Sequence, residues 1–128
     1  MKARYLCLAA ALLSAVGCSA PVAHYRCDFD ARGVEPDVTT VWKCNRDVIE
    51  RVVDGERFSL REFRGAARFF SESTGIPADT RETRQGTQPG LGLRENLDQW
   101  DAWYVAHRDS LVWDERSGTV RPAAGGAS

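Results

Sequence analysis

The stretch SLREFRGAARFFSESTGIP, from Ser59 to Pro77, decides the fold. Ser59 and Glu62 have the spacing of a capping box, in which the serine hydroxyl accepts from the first turn of a helix and the glutamate reaches back to the cap. Behind that start Leu60, Phe63, Ala67 and Phe70 recur at steps of three and four, and Phe69 widens the apolar stripe they make. The stop is as well marked. Gly75 suits a left-handed position after the helix, Ile76 supplies the apolar contact behind it, and Pro77 cannot continue the helix. A helix over 59–74 is therefore predicted, and its single apolar face requires neighbours to cover it.

Those neighbours can be read on either side. Pro36-Asp37 opens a run in which Val38, Val41, Trp42, Val48, Ile49, Val52 and Val53 keep helical spacing as far as Asp54-Gly55, which predicts a helix over 37–54. Leu97, Trp100, Trp103, Tyr104, His107 and Leu111 predict a third helix over 93–110. After it, Leu111-Val112-Trp113 and Thr119-Val120-Arg121 flank Ser117-Gly118 as a short β-hairpin. Between the second and third helices, 78–92 is polar, holds Gly86, Pro89, Gly90 and Gly92, and reads as a long loop without apolar period. The expected class is mainly α: a small three-helix domain over 37–121 with a C-terminal hairpin, followed by a disordered tail over 122–128.

The N-terminus has a different composition. Met1-Lys2-Ala3-Arg4 is a short basic start, Tyr5 to Val16 is apolar apart from Ser14, and Ala15-Val16-Gly17-Cys18 places small residues before a thiol. An apolar run this short falls well under the roughly 20 residues of a bilayer-crossing helix and suits a signal peptide. The pattern resembles the bacterial lipobox, with Ala15 where the usual motif has Leu. That resemblance implies cleavage after residue 17, lipidation (palmitate among the acyl chains) at Cys18, and attachment to the cell envelope. Ser19, in place of the aspartate that favours inner-membrane retention, points to the outer membrane on its periplasmic side. Residues 18–36, with Pro21, Gly33 and Pro36, read as the tether.

Cysteine parity follows from that reading. With Cys7 removed and Cys18 carrying lipid, Cys27 and Cys44 remain as a pair in an oxidising compartment, where a disulfide is expected to stabilise by about 3 kcal/mol. The alternative is a metal site from His24, Cys27, Cys44 and His107, which lacks the paired spacings typical of zinc. No metal and no cofactor are expected.

The 17 basic and 18 acidic residues nearly cancel, and loss of Lys2 and Arg4 with the signal moves the net charge from −1 to −3, so nothing recommends nucleic acid as a partner. Arg57, Arg61, Arg64 and Arg68 recur at four, three and four, and form the candidate contact surface for an envelope protein or the phosphates of an anionic lipid. Their alternative is a solvated face balanced by Glu62 and an Arg68–Glu72 pair. Trp100, Trp103, Tyr104 and Trp113 could form a sugar platform, yet helical spacing reads them as core, with His107 a hydrogen-bonded boundary residue and Asp98 and Asp101 on the side away from the rings. No catalytic residue is assigned, since nucleophile-elbow, zincin, Walker and Rossmann motifs are absent from the sequence.

Trp100-Asp101-Ala102-Trp103-Tyr104, then His107-Arg108-Asp109, Leu111-Val112-Trp113-Asp114 and Gly118, is similar to a C-terminal pattern of bacterial lipoproteins of uncharacterised role and of the ends of some HEAT-repeat envelope proteins. The resemblance covers 100–118 and implies an envelope setting but no activity. The leading expectation is a lipid-anchored, non-enzymatic interaction or accessory module. The alternative is an envelope enzyme or enzyme subunit acting on peptidoglycan or glycan, with the aromatic helix lining its site. Metabolic labelling with a fatty-acid analogue is expected to mark the wild-type chain and not Cys18→Ser; label retained on the variant would remove the lipobox reading.

Overall fold

Capping chemistry sets the helix ends. In the computed structural model, which describes residues 26–29 and 35–123, the first helix, α1, spans Val38–Val53 and starts where the Asp37 carboxylate accepts from the Thr40 backbone N–H at 3.2 Å. The second, α2, spans Leu60–Thr74; Ser59 Oγ accepts from the Glu62 N–H, and Gly75, at φ 75°, turns the chain out of the helix. The third, α3, spans Leu93–His107 and passes into a 3-10 turn over Arg108–Ser110. All three agree with the sequence expectation to within a few residues at their ends. The signal, the cleavage site and Cys18 lie outside the described residues.

The buried faces are those the periodicity marks. Val41, Trp42, Val48 and Ile49 of α1 meet Phe63, Ala67, Phe69 and Phe70 of α2, with Leu97 and Trp100 of α3 closing the core. Trp42 lies edge-on to Phe70, with centroids 4.8 Å apart, and stacks on Tyr104 at 4.6 Å and Trp103 at 5.8 Å. Phe70 in turn stacks on Trp100 at 4.5 Å, and the indole N–H of Trp100 donates to the Ile76 carbonyl at 3.0 Å. Trp100 has no exposed surface, whereas Trp103, Tyr104 and Trp113 are half-buried at the rim of the core.

The polar stretch 78–92 is the clearest departure from expectation. It forms a two-stranded antiparallel ribbon, β1 Thr80–Thr83 and β2 Gly86–Pro89, with Thr80 opposite Pro89. No alternation of apolar residues announces it because β1 is exposed along its whole length. It is held instead by Arg64 of α2, whose guanidinium donates to the carbonyls of Thr87 at 3.1 Å and Gln85 at 2.9 Å. Asp79 ties the ribbon's base to α3. Its carboxylate accepts from the Gly92 N–H at 2.7 Å, its carbonyl accepts from the Gly90 N–H, and its own N–H donates to Asn96 Oδ1 at 2.7 Å. The approach at Gly90 is so close that a Cβ there would lie 2.9 Å from the Asp79 carbonyl carbon.

The second hairpin agrees with expectation: β3 Leu111–Asp114 pairs with β4 Thr119–Pro122. It packs on α2 through Val120, which is fully buried and whose N–H donates to Ser73 Oγ. Pro122, expected to begin the tail, instead pairs with Leu111, and the Ala123 N–H donates to the Ser110 carbonyl at 2.7 Å; the rest of that tail lies outside the described residues. At the other end, Cys27 and Cys44 form a disulfide that sets Cys27 in the core. The packed unit thus reaches back to residues 26–29, inside the segment expected to be tether.

Trp100→Ala is expected to cost about 3–5 kcal/mol and Trp103→Ala about half as much, because only the former removes a wholly enclosed ring. Denaturant melts check this, and equal shifts for the two variants would contradict the packing.

Candidate functional site

Two of the concavities on the described surface lie between the helices and the hairpins. The first, a cleft of about 210 Å³, opens where residues 27–29, α1, α2 and the turn between β3 and β4 meet. Asn45 lines it from α1, Phe69 from α2 and Trp113 from β3, while Asp28, Arg68, Glu72 and Arg116 bring both signs of charge to it. Arg68 Nε donates to Glu72 Oε1 at 3.1 Å, a pair one helical turn apart and largely in water. Across the cleft the hydroxyls of Ser117 and Thr119 hydrogen-bond each other.

Asn45 is the anomaly of this cleft. It is fully buried on the apolar face of α1, between Val41 and Val48, and its Nδ2 donates back to the Val41 carbonyl at 2.9 Å. Among the described residues no donor reaches its Oδ1, which is also closed to bulk solvent. Leaving a buried acceptor unmatched costs about 1–3 kcal/mol, and buried polar groups in folded proteins are seldom left so.

The second concavity is a groove of about 420 Å³ at the end of the bundle where α1 stops and α2 and α3 begin. Val52, Val53, Phe58, Pro89 and Leu93 give it apolar walls, and Arg81 and Arg94 line it with them. Leu91 also lines this groove, and its side chain is fully exposed to water.

The four arginines singled out in the sequence have different surroundings. Arg64 is committed to the β1–β2 ribbon, and Arg68 borders the first cleft beside Glu72. Arg61 is exposed on α2, and Arg57 precedes Phe58 in the exposed connector beside the second groove. The aromatic helix offers no platform at Trp100, which is enclosed. His107 has its Nδ1 2.8 Å from the Trp103 carbonyl and its ring stacked on Trp103 at 4.4 Å, the boundary role expected of it. Both Cys27 and Cys44 are consumed by their disulfide, so neither thiolate is available to a metal. Among the described residues no group of three or more His, Cys, Asp or Glu side chains is placed to hold a metal ion, and no helix is long and apolar enough to cross a membrane.

Sequence reasoning missed Arg46. Its Nε and one terminal nitrogen each donate to Asp101 at 2.8 Å, and the other terminal nitrogen donates to Glu50 at 2.6 Å. The bonds to Asp101, outweighing partial burial, hold the guanidinium well above the usual arginine range, so it stays charged at any accessible pH. The Arg46–Glu50 spacing was visible in the sequence, but the partner 55 positions away was not. The chain matches no family model, no curated protein and no solved structure.

A double-mutant cycle with Arg46→Ala and Asp101→Ala is expected to give a coupling of about 1 kcal/mol that weakens in high salt. Urea melts at two ionic strengths read it. Strictly additive single effects would show that the bidentate pair does not join α1 to α3.

Proposed function

We propose that the chain is a lipid-anchored cell-envelope protein that acts as a non-enzymatic interaction or accessory module. The anchor rests on the sequence from Met1 to Cys18, with outer-membrane attachment on the periplasmic side as the setting. Eight residues lie between Cys18 and the fixed point at Cys27, and the nine steps between the two cysteines, at about 3.3–3.6 Å each, hold the domain within about 30 Å of the bilayer. A partner in or near the same membrane is therefore always within reach.

The observation that carries the reading is Leu91, wholly in water at the apolar groove it shares with Val52, Val53 and Phe58. Burying such a side chain in a complex contributes about 1.5–3 kcal/mol. Arg81 and Arg94 at the same groove, with Arg57 nearby, favour a partner that presents an apolar side chain flanked by carboxylates. The partner class is an envelope protein segment of that chemistry, and the electrostatic part of the contact acts on the rate and orientation of docking.

A photo-crosslinking residue at position 91 in intact cells is expected to give a discrete protein adduct, and the adduct should be lost when Arg81→Glu is added. Melting midpoints of the two proteins should agree, since Arg81 is exposed. Adducts insensitive to Arg81→Glu, or adducts to lipid alone, would refute the reading.

A further inference from the structure

We infer that the outer edge of β1 takes an extended segment of the partner protein as a third strand, with a carboxylate-bearing residue of that segment beside Arg81. The inference rests on the reading that the Leu91 groove binds a protein, and states how that protein is held.

The register of the ribbon decides which backbone groups face outward. In an antiparallel pair, opposite residues alternate between those that exchange N–H···O bonds and those that turn both groups away from the partner strand. The Gly90 N–H donates to the Asp79 carbonyl, which makes these two a bonded pair and leaves Thr80–Pro89 and Glu82–Thr87 as non-bonded pairs. Two further observations agree. Pro89 has no N–H to give to β1, and the Thr87 carbonyl turns away from β1 to accept from Arg64 Nε at 3.1 Å. Thr80 and Glu82 therefore direct their N–H and C=O groups to the side of β1 remote from β2.

No strand among the described residues pairs with that side. β1 is exposed along its whole length, β2 is the strand held against α2, and the sheet has only these two members. The outward groups form two sets about 7 Å apart, the repeat with which an added strand pairs.

Side chains choose the occupant. Arg81 and Gln88 stand opposite each other on one face of the ribbon, and both line the groove that holds Leu91. A strand added at β1 continues the ribbon beside that groove, with every second side chain on the groove face. Arg81 is exposed and has no carboxylate partner among the described residues, so a carboxylate directly across from it on the added strand is favourable. A second copy of this chain fits less well. Antiparallel self-pairing across the middle of β1 sets Arg81 opposite Arg81 or Glu82 opposite Glu82, and like charges so placed repel. The edge is guarded against its own copy and open to a strand of other sequence.

Proline at position 82 tests the edge while sparing the ribbon, since the N–H it removes is one that β2 does not use. Photo-crosslinking residues placed singly at positions 80 and 91 in intact cells are expected to give adducts with the same protein. Glu82→Pro should lower the yield of both about tenfold or more, whereas Glu82→Ala, which keeps the N–H, should leave them within about twofold. Thr80→Pro, read from position 91, removes the other outward N–H and serves as the readout should Glu82→Pro not fold. An adduct at 91 unchanged by either proline, in protein of wild-type melting midpoint, would overturn the added strand and leave the groove reading standing. So would equal losses with Glu82→Ala and Glu82→Pro, or an adduct at 80 to a second copy of this chain. Absence of any protein adduct at 91 would remove the groove reading and the strand together.

Discussion

Trp42 of α1 touches both of the other helices, and the arrangement of the molecule depends on that contact. Its ring sits edge-on to Phe69 and Phe70 of α2 while its face meets Tyr104 and Trp103 of α3. Phe70 then passes the contact on to Trp100. A chain of packed rings fixes both the spacing and the rotation of the helices, since flat rings that alternate between edge and face contacts have few ways to fit. In a domain this small, where a single core is marginal, large rings bury more apolar surface per residue than aliphatic side chains could.

Polar contacts do the separate work of register. Along the seam between α1 and α3, Thr39 meets Tyr104, Arg46 meets Asp101 and Asp54 meets Arg94, which sets the two helices antiparallel and aligned. Arg64 holds a ribbon that has no core of its own, and Asp79 supplies the N-terminal cap that α3 lacks from its own sequence. The disulfide fastens the entering chain against α1. Each device satisfies backbone or charged groups that would otherwise lie unmatched where the elements meet. Asn45 stands apart from this pattern, because its Oδ1 is buried without a hydrogen-bond partner.

The two concavities have different chemistry for structural reasons. At the bundle end, connectors must cross apolar helix ends, and Leu91 is left outside while Leu93 is taken in. That produces an apolar groove bordered by arginines. Beside the disulfide, by contrast, a loop segment and a hairpin turn lie over the flank of α2, which presents Phe69 together with Arg68 and Glu72. The result is a small polar cleft with an aromatic wall.

The sequence by itself determined the helices, because caps, stops and apolar spacing are local and survive without any neighbour. It also indicated the β3–β4 hairpin through its apolar strands and Gly118, and the Cys27–Cys44 pair as the two cysteines left once the signal reading sets Cys7 and Cys18 aside. The β1–β2 ribbon was not legible, since its strands are polar and its support is a guanidinium arriving from α2. Nor could spacing show that Arg64 turns to the β1–β2 ribbon while Arg68 pairs with Glu72, that Trp100 is enclosed while Trp103 is half-exposed, or that Arg46 finds Asp101. Those outcomes depend on which surfaces meet across long separations in the chain. The same is true of the unmatched Oδ1 of Asn45: an asparagine in a helical stripe is unremarkable until packing closes water away from it, and tertiary structure alone decides whether it gains a partner.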